Sequence, residues 1–179
     1  GIGTTNPQST LDVNGDALIN GLTVGRGAGN INTNTVFGVD AFTANTTVGR
    51  NVAIGYEALK VNSKFDNVAI GYKSLNTNSN TSNVAIGSQS LLTTTGASNT
   101  AVGYHSGKDS SSSTGTTYLG AYADTNGVYS YSTAIGYASV ITKSDQIVLG
   151  KTSSPPEVYI PGNVGIGTAT PSSTLHVHG

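Results

Sequence analysis

Few side chains in this sequence combine reactive chemistry with a useful spacing. His176 and His178 stand two apart in a stretch that alternates like a strand, which puts both imidazoles on one face. Three chains around an axis would bring six imidazoles to one octahedral metal, and imidazole suits Fe, Ni or Zn. The counterparts of this pair in an N-terminal copy of the same module are Asp12 and Asn14, opposite a Leu/Val face, and that reading leaves the histidines in solvent. Seven Asp and two Glu are scattered, and no His or Lys is spaced from a Ser in a catalytic motif. The sequence therefore offers no nucleophile with its base and no carboxylate pair for glycan cleavage, unless two chains supply one each. We expect a protein that is not an enzyme. Gly25-Arg26-Gly27-Ala28-Gly29 has the letters of a phosphate loop, but no helix is predicted after it to supply an N-terminus.

Two other residue types recur at fixed spacing. Tyr56, Tyr72, Tyr104 and Tyr137 return at one place in a repeat. Such a ladder would stack on the sugar rings of a cell-surface glycan, or on its own copies up the fold. Asn34, Asn51, Asn67, Asn83 and Asn99 return at another. They predict a structural ladder bonded amide to amide, in turns that Asn tolerates.

The repeat itself is clearest at residues 51–59, Asn-Val-Ala-Ile-Gly-Tyr-Glu-Ala-Leu, which returns at 67–75 and 83–91 and more loosely at 99–107 and 132–140. Its glycines are Gly38, Gly55, Gly71, Gly87, Gly103, Gly120, Gly136 and Gly150, spaced 17, 16, 16, 16, 17, 16 and 14 residues apart. Eight units of one fixed period indicate a solenoid. Numbering each unit from its Asn, positions 2 and 4 carry Val52, Ile54, Val68, Ile70, Val84, Ile86, Val102 and Ile135, and share a strand face. Their bulk predicts the core of the roll. Position 3, on the other face, holds Ala53, Ala69, Ala85, Ala101 and Ala134. Position 5 is Gly, for a positive φ or for close backbone approach. Position 9 carries Phe42, Leu59, Leu75, Leu91 and Val140 as a second inward row, broken by Gly107 and Asp124. Three aliphatic side chains per coil bury little against the entropy of ordering sixteen residues. The alanine stripe is therefore expected to meet sister chains as the trimer interface, closed cyclically.

Residues 1–15 and 165–179 align without a gap, Gly-Ile-Gly-Thr then Pro then Leu-x-Val-x-Gly, and bracket the array. Three regions result: 1–33 as an N-terminal module and lead-in, with Leu18, Ile19, Leu22 and Val24 in short strands; 34–150 as the roll; and 151–179 as a C-terminal module, with a strand predicted at 158–160. No helix is predicted, and 110–113 reads as a solvated loop. The position-7 residues Asp40, Glu57 and Lys73 read as solubilising charges on an outward turn.

Composition agrees with a repeat protein. Charged residues are 9%, against about 25% in ordinary soluble domains, and Gly numbers 24. Net charge is −1 with no basic cluster, so nucleic acid is not an expected partner. No apolar run approaches a membrane span, so no membrane insertion is expected. There is no Cys, hence no disulfide or thiolate, and no cofactor motif. A start in mid-motif without Met reads as a piece of a longer chain.

The Asn-Val-Ala-Ile-Gly-x-x-Ala/Ser units resemble the head repeats of YadA-like trimeric autotransporter adhesins. That resemblance covers 34–150 and implies an all-β, left-handed parallel β-roll, three chains forming one trimer. Tyr118 in the alanine row departs from it and predicts local widening. The Gly-Ile-Gly-Thr modules look like those of phage and large-virus tail fibres, some of which hold a metal at the tip. Together they imply a segment of a homotrimeric tail fibre at the virion surface. Its partners would be a host glycan or protein receptor and other virion proteins. The alternatives are an adhesin head on a bacterial surface and a polysaccharide-degrading tail spike.

Overall fold

The computed structural model describes residues 1–44, 47–62, 64–78, 80–151 and 153–178. Eight short strands, Thr35–Gly38, Val52–Ile54, Val68–Ile70, Val84–Ile86, Thr100–Val102, Thr117–Leu119, Thr133–Ile135 and Ile147–Leu149, lie side by side in that order, all parallel. Register is one repeat per rung: Ala53 faces Ala69, Ala69 faces Ala85, and Ala85 faces Ala101. Each unit is thus one coil of a parallel β-solenoid, as its period predicts. A second wall carries shorter parallel pairs, Val61–Asn62 with Thr77–Asn78 and Asp124–Thr125 with Val140–Ile141.

The corners come from backbone geometry at fixed positions. The position-5 glycines from Gly55 to Gly136 have φ between 111° and 135°. A β-carbon on Gly71 would also stand 2.6 Å from the carbonyl oxygen of Gly87. Both reasons for glycine therefore hold at once. Position 7 (Asp40, Glu57, Lys73, Gln89, His105, Tyr122, Ala138) is left-handed at φ 51–57°. Position 9 from Phe42 to Leu91 is left-handed at φ 44–50°.

The interior is not the one that side-chain bulk predicts. Ala53, Ala69, Ala85, Ala101 and Ala134, expected at a trimer interface, are 0% exposed inside the chain's own coil. No sister chain touches a residue with no accessible surface. Conversely Val52, Ile54, Val68, Ile70, Val84, Ile86, Val102 and Ile135, expected as the core, point outward and are half-buried or exposed. The reason is width. Phe42, Leu59, Leu75 and Leu91 project from the opposite wall and are fully buried. Opposite Leu59, Leu75 and Leu91, position 3 holds only the methyl groups of Ala53, Ala69 and Ala85, and the branched side chains take the outside of the pleat. The position-9 row is inward as predicted, except at its end. There Ile141 takes the interior place and Val140 is half-buried.

Tyr118 replaces the position-3 alanine and is also fully buried. The coil does not widen. Gly107 stands where other coils have Leu, and a β-carbon there would lie 2.7 Å from Leu91 Cδ2 and 2.8 Å from Tyr118 Cδ2. The ring fills the volume that the missing side chain vacates. Of residues 110–113, expected as a solvated loop, Ser111 and Ser112 are exposed, whereas Ser110 and Ser113 are fully buried.

A hairpin, Ala17–Ile19 against Leu22–Gly25, pairs antiparallel with the first coil and closes that end of the sheet. The lead-in therefore shares the sheet of the roll. Asp16 accepts hydrogen bonds from the backbone N–H of Arg26 (2.6 Å) and Gly27 (2.7 Å). A carboxylate already holds the N–H groups that a phosphate would need. A 3₁₀ turn, Ala28–Asn30, follows, and there is no α-helix among the described residues.

The two flanking modules share one turn. Asn14 N–H donates to Ile2 carbonyl at 2.9 Å, and His178 N–H to Ile166 carbonyl at 2.8 Å. Val164–Ile166 pairs in parallel with Leu175–Val177. Neither module has an interior: Ile2, Leu11, Ile166, Leu175 and Val177 are all exposed. The strand expected at 158–160 forms no ladder.

Candidate functional site

Three arrangements have the regularity of a site: an internal asparagine ladder, an outer apolar face, and a column of aromatic rings. The first is structural. The side-chain oxygen of Asn34 accepts the backbone N–H of Asn51, and the relation repeats from Asn51 to Asn67, Asn67 to Asn83, Asn83 to Asn99 and Asn99 to Thr116, each at 3.0 Å. The bonds run from amide to backbone, not amide to amide as expected. The carboxamide nitrogens turn to carbonyls of the adjoining corner, as Asn83 does to Gly96 at 2.9 Å. Each Asn thereby satisfies a buried corner and ties it to the next coil.

The second is the outer face of the parallel sheet. Phe37 in the first rung, and Thr and branched aliphatic residues elsewhere, occupy positions 2 and 4, and no charged residue interrupts them from Thr35 to Leu149. Phe37, Ile86, Leu119, Ile135, Ile147 and Leu149 are exposed.

The third starts just past the glycine corner. Tyr56 and Tyr72 stack on each other, centroids 5.6 Å apart and planes 10° apart. Lys73 Nζ lies 5.3 Å from the centre of the Tyr72 ring. Ser88 then breaks the column. Above it Tyr104 stacks on His105 at 3.9 Å, meets Tyr122 edge-on at 5.3 Å, and Tyr122 meets Tyr137 edge-on at 5.8 Å. The four predicted tyrosines thus fall into two groups. His105 and Tyr122, both at position 7, were not foreseen. The extra residue before Thr116 hides Tyr122 from a strict count, though His105 simply follows Tyr104. Position 6 of the last coil is Lys151, so the column ends in a cation. A cleft of about 330 Å³ opens there, lined by Gly136, Tyr137, Gly150, Lys151, Ser154 and Pro156.

Charges sit mostly on the outer corners. Glu57 pairs with Lys60 at 2.7 Å and Lys73 at 3.5 Å, and Lys60 reaches Asp40 at 3.8 Å. The Lys60 hydrogen bond holds the Glu57 carboxyl below its ordinary range. Arg50 does the same to Asp66 through a contact of 2.6 Å. These solubilising charges form a connected patch on an outward corner. Asp124 is different. Burial pushes its carboxyl up to about 6, although the N–H groups of Thr125 and Asp109 donate to it at 2.8 and 3.1 Å. Its neighbour Tyr118 has no partner for its hydroxyl, nor has the buried Ser113.

His176 and His178 are not gathered into a metal centre by this chain. Ser172 N–H donates to His176 Nδ1 at 3.2 Å, the bond that Gln8 N–H makes to Asp12 at 2.8 Å in the first module. An accepting Nδ1 puts the neutral ring's proton on Nε2, so the ring is engaged in holding its turn. Among the described residues no three His, Asp or Glu gather to hold a metal. No helix among them is long and apolar enough to cross a membrane. Compared with known proteins, the chain matches no family model, no curated protein and no solved structure.

Proposed function

We propose that this chain is a structural segment of a homotrimeric fibre, projecting from a virion and contributing to attachment at a host surface. One observation carries the reading: the outer sheet face is uncharged and mostly apolar over eight successive rungs, roughly 34 Å at ~4.8 Å per rung. Contiguous exposed apolar patches beyond a few hundred Å² are rare on monomers and mark interaction surfaces. The face is identical on every copy, so copies of this chain are its natural cover, and cyclic closure leaves no unpaired face. The flanking modules support the same view. Without an interior of their own, Ile2, Leu11, Leu175 and Val177 need neighbours to exclude water.

The number three comes from the resemblance of the Asn-Val-Ala-Ile-Gly units to trimeric adhesin heads. The virion comes from the Gly-Ile-Gly-Thr brackets. An adhesin head on a bacterial surface shares the roll and is the second reading, favoured by the units alone. Many fibres bearing three equal faces would turn weak contacts into avidity. Light scattering after size exclusion tests the assembly: three chains of 18.0 kDa give a mass of about 54 kDa. A stable monomer would end the proposal.

A further inference from the structure

We infer that the upper end of the aromatic column, Tyr104 to Lys151, is a binding site for a glycan that carries a carboxylate, such as a uronic or sialic acid. The two halves of the column differ in what their rings leave free. Tyr56 and Tyr72 lie flat on each other and cover one another's faces. Above the Ser88 break Tyr104 stacks on His105, but Tyr122 meets Tyr104 and Tyr137 edge-on, at 84° and 78°. An edge-on neighbour does not cover a ring's far face. Tyr137, the last ring, is 64% exposed.

The coil count then places Lys151 in the column one rung beyond Tyr137. Among the described residues it forms no ion pair. The glycine column also ends here. Gly136 faces only Gly150, and the Pro156 ring lies directly over Gly150 as a wall. Where a ninth coil would stand there is instead the cleft of about 330 Å³, of the size that small ligands occupy. Its parts suit a pyranose. Such a ring presents a face of C–H groups, which packs on an aromatic face and on proline. Its hydroxyls find Ser154, and a carboxylate on the ring finds the ammonium of Lys151. Neutral apolar ligands would leave that cation unused, and nucleic acid would need a basic groove that the chain lacks.

This inference gives the attachment reading a chemical target, yet the site lies wholly within one chain. The test is an array of acidic and neutral oligosaccharides probed with the full chain, with mass measured on the same sample. Oligosaccharides bearing uronic or sialic acid should bind. Tyr137→Ala and Lys151→Gln should each weaken binding at least tenfold, Tyr137→Phe should retain it, and Tyr56→Ala should leave it unchanged. All three positions face solvent, and a melting curve checks each variant. If Tyr137→Ala fails to fold, Lys151→Gln against Tyr137→Phe decides. No acidic glycan retained, neutral glycans held equally well, or Lys151→Gln binding like the parent would each overturn the site. A monomer that binds would remove the trimer and keep the site, and a trimer that binds nothing would do the reverse.

Discussion

Gly107 lies against the ring of Tyr118, so close that a β-carbon would come within 2.8 Å of Cδ2. The coils before it pair Ala53, Ala69 and Ala85 at position 3 with Leu59, Leu75 and Leu91 at position 9. This pair inverts the sizes and conserves the volume. Gly107→Ala should overpack the site and cost about 1–3 kcal/mol. Tyr118→Ala should open a cavity and cost about 3–5 kcal/mol. Combining Gly107→Leu with Tyr118→Ala should regain most of the loss, because Leu59, Leu75 and Leu91 already hold the left-handed φ needed at 107. Urea denaturation of the single and double variants decides; additive losses would refute the exchange. Tyr118→Phe removes a hydroxyl without a partner and should be neutral or stabilising.

Removing one rung of the asparagine ladder should be felt on both sides. Asn67→Ala deprives the buried N–H of Asn83 of its acceptor and removes the amide that donates to the carbonyls of Phe65 and Asn80. A loss of about 2–4 kcal/mol is expected. Hydrogen exchange should rise first at Asn83. A loss below about 0.5 kcal/mol would show the ladder to be ornamental.

Asp124 should make the roll less stable as pH rises. Its carboxyl titrates at about 6 in the fold and in the ordinary carboxylate range, about 4, when unfolded. Between those values the native state holds a proton that the unfolded chain has released. The group's favourable contribution is therefore complete below about pH 4 and lost as pH passes 6. About two units correspond to at most ~3 kcal/mol, and partial exposure reduces this to about 1–3 kcal/mol. Asp124→Asn should flatten the melting temperature between pH 4 and 7. Because Asn forfeits one N–H acceptor, the slope and not the absolute value is diagnostic. Parallel curves for parent and variant would sink the claim.

A charge on the outer face should separate the chains without unfolding them. Ile70→Asp places a carboxylate among Ile54, Ile86 and their sister-chain counterparts, where an assembly would bury it unpaired. The mass should fall to 18.0 kDa with the coil intact by circular dichroism. Ser111→Asp, exposed elsewhere, should leave the mass unchanged.

The sequence made the unit count, the register, the glycine corners and the Leu59, Leu75, Leu91 column legible, because each repeats a physical constraint at every turn. The inside and outside of the main strand were not legible. A period of two separates Val52 and Ile54 from Ala53 without saying which face is enclosed. Bulk usually breaks that tie, and here it misleads. In a coil this thin the opposite wall fills the interior, so the small residue goes in. The alanines of the first prediction and the valines and isoleucines of the second exchange places for that one reason. The partnership of Gly107 and Tyr118 was visible only as two separate exceptions, since contact between adjacent coils is a property of the stacked structure.

A stack of parallel rungs invites a further molecule to join at either open end, which is how cross-β polymers grow. Here the first edge is the three-residue strand Ala17–Ile19, the outer arm of the hairpin, and the last rung is followed by Pro155 and Pro156, which have no N–H to offer. An edge of only three residues and a cap of prolines are both poor templates for an incoming strand. Amyloid-type elongation is thereby disfavoured at either end of the sheet.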